Sequence, residues 1–577
     1  MKFSRHTVSV AVACLLVLAT SPALAKFDIS GVDDKLEANI RAHATLSQEP
    51  CDAPRWRLQQ LRRELRKQVV TALRAYGYYQ PQIQQDFSSD DSCWHMQLSV
   101  DKGPQVKLRT LDIAVENPPE NFHPALKKLL DNPPLKTGDG LSHQAYESYK
   151  NALLDTARSW GYWQAEFSRS ELSIYPDEQA ADVHLTLKVG PRYRFGSYHF
   201  SEISLDDDLL QRLAEPLEGE YYSSEGVQDS YSRFHGSDYF NHILVTPQIS
   251  DDDSDQTVPL QVDLAMASKH SFGAGVGFST DQGPRVRANY KDRYVNRRGH
   301  KWHLDAVWSE KYENYSAFYT IPRDDAAKEW YELSTGYLAE ITSSYDTTTR
   351  SASARIVNLL PHDWVMNTGI NLRNDRYSLS DGPLETRNLV LPGIGFTWVS
   401  AEDTSRQTRG LRFETGVTVS HNNWKSDLDF IQAYTRTKGI WSPFKRARFI
   451  SRLEVGGTKI DDFSKLPPSV RFFTGGDNSV RGYEYNSVGT LDSEGNVVGG
   501  GKLVVGSLEF DYLILNSWSL STFYDTGDAF DKEPNLVSSW GVGVRWYSPI
   551  GSLRLDVAFP NDSDEDYRLH ISVGADL

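Results

Sequence analysis

Cysteine is nearly absent: the 577 residues hold three. No stretch approaches 18 consecutive apolar residues, which excludes helical membrane spans. It leaves open both a soluble protein and a β-barrel, whose strands look polar on average because half of each faces water. Positive charge is in deficit, with 61 Lys and Arg against 77 Asp and Glu and a net charge of −16. That balance argues against a nucleic-acid partner. No Gly-x-Ser-x-Gly elbow, His-Glu-x-x-His pair or nucleotide loop occurs, and His199, His300 and His570 are scattered. No enzyme, cofactor or metal site is therefore expected. The acidic run Asp251-Asp252-Asp253 reads as a solvated loop, not a calcium site.

What is present begins with an export signal over residues 1–25. Lys2 and Arg5 make a basic start, Val8 to Ala19 are almost wholly apolar, and Ala23-Leu24-Ala25 is a small-x-small cleavage site. The apolar run, about 12 residues, is too short to span a bilayer. Cys14 lies inside the run, not at its end, which opposes a lipoprotein reading. Cys51 and Cys93 remain. An exported chain meets an oxidising compartment, so a disulfide between them is the expectation.

The next stretch repeats weakly, with a period near ~80 residues, over 26–103, 104–189 and 190–266. Each unit reads as strand, two helices, two strands. Leu58, Leu61, Leu65 and Val69 share one helical face, as do Tyr146, Tyr149, Leu153 and Ala157, and Val227, Tyr231 and Phe234. Each helix ends near a glycine followed by aromatics: Gly77-Tyr78-Tyr79, Gly161-Tyr162-Trp163, and, more loosely, Gly236 followed by Tyr239-Phe240. Gly103-Pro104 and Gly190-Pro191 mark the joins.

From 267 to 577 the period becomes two. Trp540, Val542, Val544 and Trp546 alternate with Gly541, Gly543 and Arg545. Leu553, Leu555, Val557 and Phe559 alternate with Arg554, Asp556 and Ala558, and a last such segment runs from Tyr567 to Leu577. About 16 segments of this kind follow Lys269, each long enough to cross hydrocarbon when tilted. Lipid tolerates no open sheet edge, so the segments must close. The fold expected is a membrane β-barrel of 16 antiparallel strands preceded by three α+β units.

The longest barrel loop, between Gly457 and Lys502, carries Val480-Arg481-Gly482-Tyr483. Alternation turns Ser507, Glu509 and Asp511 of one following strand to the lumen, and Ser519, Ser521, Phe523, Asp525 and Gly527 of the next. If the loop folds inward, the fork of Arg481 suits the paired carboxylates Glu509 and Asp525. The Val480–Tyr483 motif, Glu509 and Phe523-Tyr524-Asp525-Thr526-Gly527 resemble the signature of the Omp85 superfamily, and the repeats resemble its POTRA domains. The resemblance spans nearly the whole chain after the export signal. It implies a bacterial outer-membrane protein with POTRA domains in the periplasm, the Arg481 loop docked on Glu509 and Asp525, and unfolded outer-membrane or autotransporter proteins as clients. Three units of this length look like the TamA branch, which implies an inner-membrane partner of the TamB type contacting the first unit.

A barrel closes where its first strand meets its last. Gly273, Gly275 and Gly277 fall on the lumen face of the first, and His570, Ser572 and Gly574 on the last. Glycine weakens a strand, so this seam is expected to part for an incoming strand, although the glycines also permit curvature. A two-partner secretion exporter and a general barrel-assembly subunit of the same superfamily are the alternatives. A passive porin would explain the barrel but neither the repeats nor the Arg481 loop.

Overall fold

A computed structural model describes residues 25–90, 93–120, 122–249, 255–380, 382–402, 406–548, 551–563 and 565–574. The export signal up to Leu24, the Asp251–Asp253 run and residues 575–577 lie outside the described residues. No described helix is long and apolar enough to cross a membrane.

Three modules share one order. The first has β1 (Lys26–Ser30), α1 (Asp34–His43), α2 (Arg55–Arg74), β2 (Gln82–Ser89) and β3 (Trp94–Asp101). The second has β4 (Lys107–Glu116), α3 (Pro124–Asp131), α4 (His143–Ser159), β5 (Glu166–Tyr175) and β6 (Ala180–Lys188). The third has β7 (Arg194–Phe200), α5 (Asp207–Leu213), α6 (Ser224–Gly236), β8 (Phe240–Pro247) and β9 (Thr257–Met266). In each, the last strand but one and the first flank a central strand, in the orders β1-β3-β2, β4-β6-β5 and β7-β9-β8. The helix pair covers one sheet face. Leu58, Leu65 and Val69 pack on Trp94, Met96 and Leu98, and Tyr146, Tyr149 and Leu153 on Val183, Leu185 and Leu187. Cys51 and Cys93 are joined in a disulfide.

The third module departs from the periodic reading. The buried residues of α6 are Gly226, Ser230, Arg233 and Phe234, whereas Tyr231 is exposed. Gly226 and Ser230 let α6 approach the sheet closely, where the Ser230 hydroxyl meets that of Tyr198 at 2.8 Å. Tyr231 instead stacks on His235 on the outer face. Val227 is half-buried.

The chain forms two compact units. The first runs to Gly196 and includes 217–225 and 249–258; the second comprises 197–216, 226–248 and 259–577. In the first, the two Gly-Pro joins bond alike. Val106 N–H donates to Gly77 and Tyr193 N–H to Gly161, both at 2.9 Å, while Leu141 and Tyr222 donate back to Val106 and Tyr193. Gly77 and Gly161 hold φ of +84° and +87°, which L side chains rarely adopt.

The second unit holds α5, α6 and a closed barrel. Its strands are β10 (His270–Ser279), β11 (Gly283–Asp292), β12 (Lys301–Ser309), β13 (Tyr312–Pro322), β14 (Glu329–Ile341), β15 (Tyr345–Leu360), β16 (Trp364–Leu379) and β17 (Glu385–Ala401). They continue as β18 (Arg409–Ser420), β19 (Phe430–Phe444), β20 (Ala447–Ile460), β21 (Lys502–Leu515), β22 (Trp518–Phe530), β23 (Val537–Ser548), β24 (Gly551–Pro560) and β25 (Arg568–Gly574). Each pairs antiparallel with the next. Outward positions are apolar and bare, Leu508, Leu520, Trp540 and Val542 among them, whereas the inward Asp511, Ser519 and Asp525 are buried. An apolar outer face around a polar interior is the construction of a barrel that stands in lipid. α5 and α6 are tied to the barrel end where β10 begins. Arg233 bonds Asp325 at 2.7 Å, and Asp238 takes Lys291 at 2.6 Å and Arg293 at 3.2 Å.

The ring closes thinly. β10 pairs with β11 from His270↔Asp292 to Ser279↔Gly283 but, among the described residues, with β25 only at Ser279↔Ser572. Three bonds between Thr280 and Ile571, and one from Arg285 to the Val573 carbonyl, add to the contact. Gly273, Gly275 and Gly277 face inward, between the exposed Phe272, Val276 and Phe278. A methyl on Gly273 or Gly277 would press on Asn289 or Arg285 of β11, while Gly275 has open space.

Candidate functional site

The segment between β20 and β21 turns back into the lumen and sets Arg481 among the carboxylates of the barrel wall. Its guanidinium makes a two-pronged bond to Asp525 on β22, Nε to Oδ2 at 2.7 Å and Nη2 to Oδ1 at 3.0 Å. Nη1 reaches Glu509 on β21 at 2.8 Å and Asp556 on β24 at 3.2 Å. The group lies 3.4 Å from the centre of the Phe523 ring, which adds a cation–π contact. Arg481 and the three carboxylates are all nearly buried. In so enclosed a place these bonds are short, charge-assisted and directional.

The other motif residues hold the arginine in place. Val480 is fully buried in an apolar cluster with Tyr483, Val488, Leu503, Val505 and Ala529. Gly482 takes φ +96°, and a Cβ there would lie 3.3 Å from both Pro560 and Ser539, so the position favours glycine. Its N–H donates to His570 Nε2 at 2.8 Å. The Tyr483 hydroxyl donates to the Ser538 carbonyl at 3.3 Å. Gly527 sits where a Cβ would lie 2.8 Å from the Val504 carbonyl, allowing β21 and β22 a close approach. Ser507 donates to Asp525 at 2.5 Å.

Three groups escaped the sequence reading: Asp556 on β24, Arg545 on β23 and Arg452 on β20. Arg545 on β23 bonds Glu509 at 2.9 Å and also bonds Asp556, so Glu509 and Asp556 each serve two arginines. Arg452 on β20 donates to the carbonyls of Asn478 and Ser479 and so holds the loop backbone just before the motif. Three arginines thus balance three carboxylates. The signal was in the alternation, which turns Arg452, Arg545 and Asp556 inward. Pairing with the loop singles out Asp556 and Arg452 from other lumen charges, and Arg545 joins through the carboxylates it shares with Arg481.

The loop also touches the seam. Asp477 accepts from Thr280 Oγ1 at 2.8 Å, and its N–H donates to Asp281 at 2.8 Å; both partners lie in the turn after β10. His570 Nδ1 lies 2.6 Å from Asp477. His570 is thus occupied by the loop, whereas Ser572 makes the strand pair. Asp281, Asp477 and His570 bring ligand-type atoms within 4.8 Å of one another. The histidine's chemistry opposes a metal ion there. Nε2 already accepts from Gly482, so the neutral ring carries its proton on Nδ1 and has no lone pair left to coordinate.

Comparison with known proteins now adds to this geometry. Residues 26–102 match the model described as POTRA domain TamA domain 1. The outer membrane protein assembly factor BamA of Nitratidesulfovibrio vulgaris is 24% identical over 388 residues, 63% of this chain and 48% of that protein. The chain therefore spans about half the length of that relative. The chloroplastic outer envelope protein 80 of Arabidopsis thaliana is 39% identical over 135 residues, 22% of this chain and 17% of that one. The crystal structure of Haemophilus ducreyi BamA lacking POTRA domains 1–3 superimposes with a TM-score of 0.67 at 16% identity, covering 81% of this chain and 99% of the other, a likeness of fold. Residues 266–577, the whole barrel with its inward loop, match the Omp85 superfamily domain, and the chain belongs to that superfamily.

Proposed function

We propose that the chain is an outer-membrane assembly factor of the TamA type. It passes or inserts β-barrel clients, autotransporters among them, through the seam between β10 and β25. Its modules stand in the periplasm, the first receiving an inner-membrane partner of the TamB type. The reading assigns it no bond-making chemistry. The observation that carries it is that, among the described residues, the single register pair Ser279↔Ser572 joins β10 to β25. Among the described residues, the edge of β10 below that pair has no further register partner on β25. An incoming strand can pair with that edge by strand addition instead of leaving its own amides bare in lipid. The match of residues 26–102 to a TamA-type domain supports the narrower assignment.

The test is a lock across the seam. Ser279→Cys with Ser572→Cys places two thiols on directly paired positions. Oxidised, this variant is expected to lose client assembly in reconstituted membranes at least tenfold, and to regain it on reduction. The unmutated chain, carried through the same reduction, controls for Cys51–Cys93. Full assembly by the oxidised, verified crosslink would defeat the reading.

A further inference from the structure

The outward wall of the first strands carries a feature that assembly at the seam does not use. Across neighbouring strands, Ala288 faces Ala306, Ala306 faces Tyr315, Tyr315 faces Tyr337, Tyr337 faces Arg350 and Arg350 faces Asn374. These positions point to lipid, since they share a face with the bare Trp308, Leu333 and Leu372. Small side chains at 288 and 306, with Ala317 and Thr335 one row nearer the third module, leave an open apolar depression of about 730 Å³. Tyr315 and Tyr337 stack with ring centres 6.0 Å apart and wall it. Arg350 stands at its edge.

Arg376 completes the arrangement. It faces Thr348 and so lies diagonal to Arg350 on the same outer face, within ~7–8 Å by strand geometry. Both arginines are exposed. Both sit just beyond the apolar band, which on β16 ends with Ile370 and Leu372, 49% and 50% exposed. The inward arginines of the same two strands are paired, Arg355 with Glu332 at 2.7 Å and Arg373 with Asp375 at 3.1 Å. Among the described residues, Arg350 and Arg376 have no carboxylate within 4 Å. The acids on that face are Asp346, opposite Ser378, and Glu313, 3.5 Å from the Tyr315 hydroxyl.

We propose that this face binds one anionic, phosphate-bearing membrane lipid, its acyl chain in the Ala288–Ala306–Ala317 depression and its phosphate on Arg350 and Arg376. Hydrocarbon is the natural occupant of a hollow that opens on the bilayer, where a peptide would strand its amides. The guanidinium fork fits phosphate oxygens in pairs. Asn374, bonded to Asn388 at 2.8 Å, supplies a further polar margin at headgroup level. The site stands apart from the assembly reading and requires only that the barrel stand in lipid.

Native mass spectrometry of the full chain in detergent tests it, with dioleoyl phosphatidic acid as the probe. Dioleoylglycerol has the same chains without the phosphate, and inorganic phosphate lacks the chains. One phosphatidic acid is expected to be retained at least tenfold more tightly than the neutral lipid. Arg350→Ala with Arg376→Ala should erase that preference. Ala306→Trp fills the hollow from the lipid side and should weaken both lipids several-fold. Heat-modifiable electrophoretic mobility reports whether each variant keeps its barrel. Equal retention of the two lipids, unchanged binding by the double variant, or displacement of phosphatidic acid by millimolar inorganic phosphate would each overturn the site.

Discussion

Arg481 stands among three carboxylates in a nearly dry interior, and truncating its side chain leaves Asp525 a buried charge with two neutral donors, the Ser507 hydroxyl and the backbone N–H of residue 481. Loss of one partner from such a cluster costs about 3–5 kcal/mol. Arg481→Ala is therefore expected to free the loop while the strands still close. Trypsin should then cut between 461 and 501 at least a hundredfold faster in folded, heat-modifiable protein. Arg481→Lys should recover little, because one ammonium cannot span Asp525 and Glu509 together; protection equal to the unmutated chain would refute the role of the fork. A second test lies at Asp281, in the turn after β10. Burial and the neighbouring Asp477 push its carboxyl up to about 7 from an ordinary 3.8. The folded state thus holds a proton that the released state gives up. The contact is at full strength below about pH 4 and is lost as pH rises through 7. Hydrogen exchange of the 475–482 amides should accelerate between about pH 4 and 7 beyond the intrinsic rate. Asp281→Asn should flatten that excess, and no change in the variant would sink the idea. Glu509 and Asp525 were legible because alternation fixes which side chains face the lumen. Asp556, Arg545 and Arg452 obey the same alternation, but which of many inward charges meets a loop depends on how the loop folds.

Among the elements, the modules were legible where helices bury large residues. Tyr146, Tyr149, Leu153 and Ala157 form one stripe because α4 packs broadly on its sheet. In α6 the stripe lies one residue earlier, on Gly226 and Ser230, since close approach there favours small residues over periodic aromatics. The looser glycine-aromatic step of the third module has a cause as well: Asp238, at φ +62°, makes the left-handed turn that Gly77 and Gly161 make in the others. The first module gains a covalent brace. Cys51–Cys93 closes a separation of 42 residues, and a loop of that size limits the unfolded chain by about 4 kcal/mol. Cys51→Ser with Cys93→Ser is expected to lower the melting of the first module by roughly 10 °C or more and leave the barrel's gel mobility unchanged. Melting within a degree or two of the parent would show that the brace adds nothing.

At the scale of the whole molecule, the antiparallel ring was readable in the chain, whereas the thinness of its closure was not. Period-two patterning assigns a face to each side chain but says nothing of how many backbone bonds two strands share. The wall itself is uneven. β11 and β12 have 10 and 9 residues, while β15 and β17 have 16 and 17. Tilted by about 40° with a rise near 3.3 Å per residue, ten residues stand roughly 25 Å tall and sixteen roughly 40 Å. A hydrocarbon slab of about 30 Å then meets a flank too short beside the first strands and one too tall beside β15–β17. Acyl tails bordering β10–β12 must compress to match, and a polypeptide entering from that side crosses a shallower oily barrier than it would beside β15–β17.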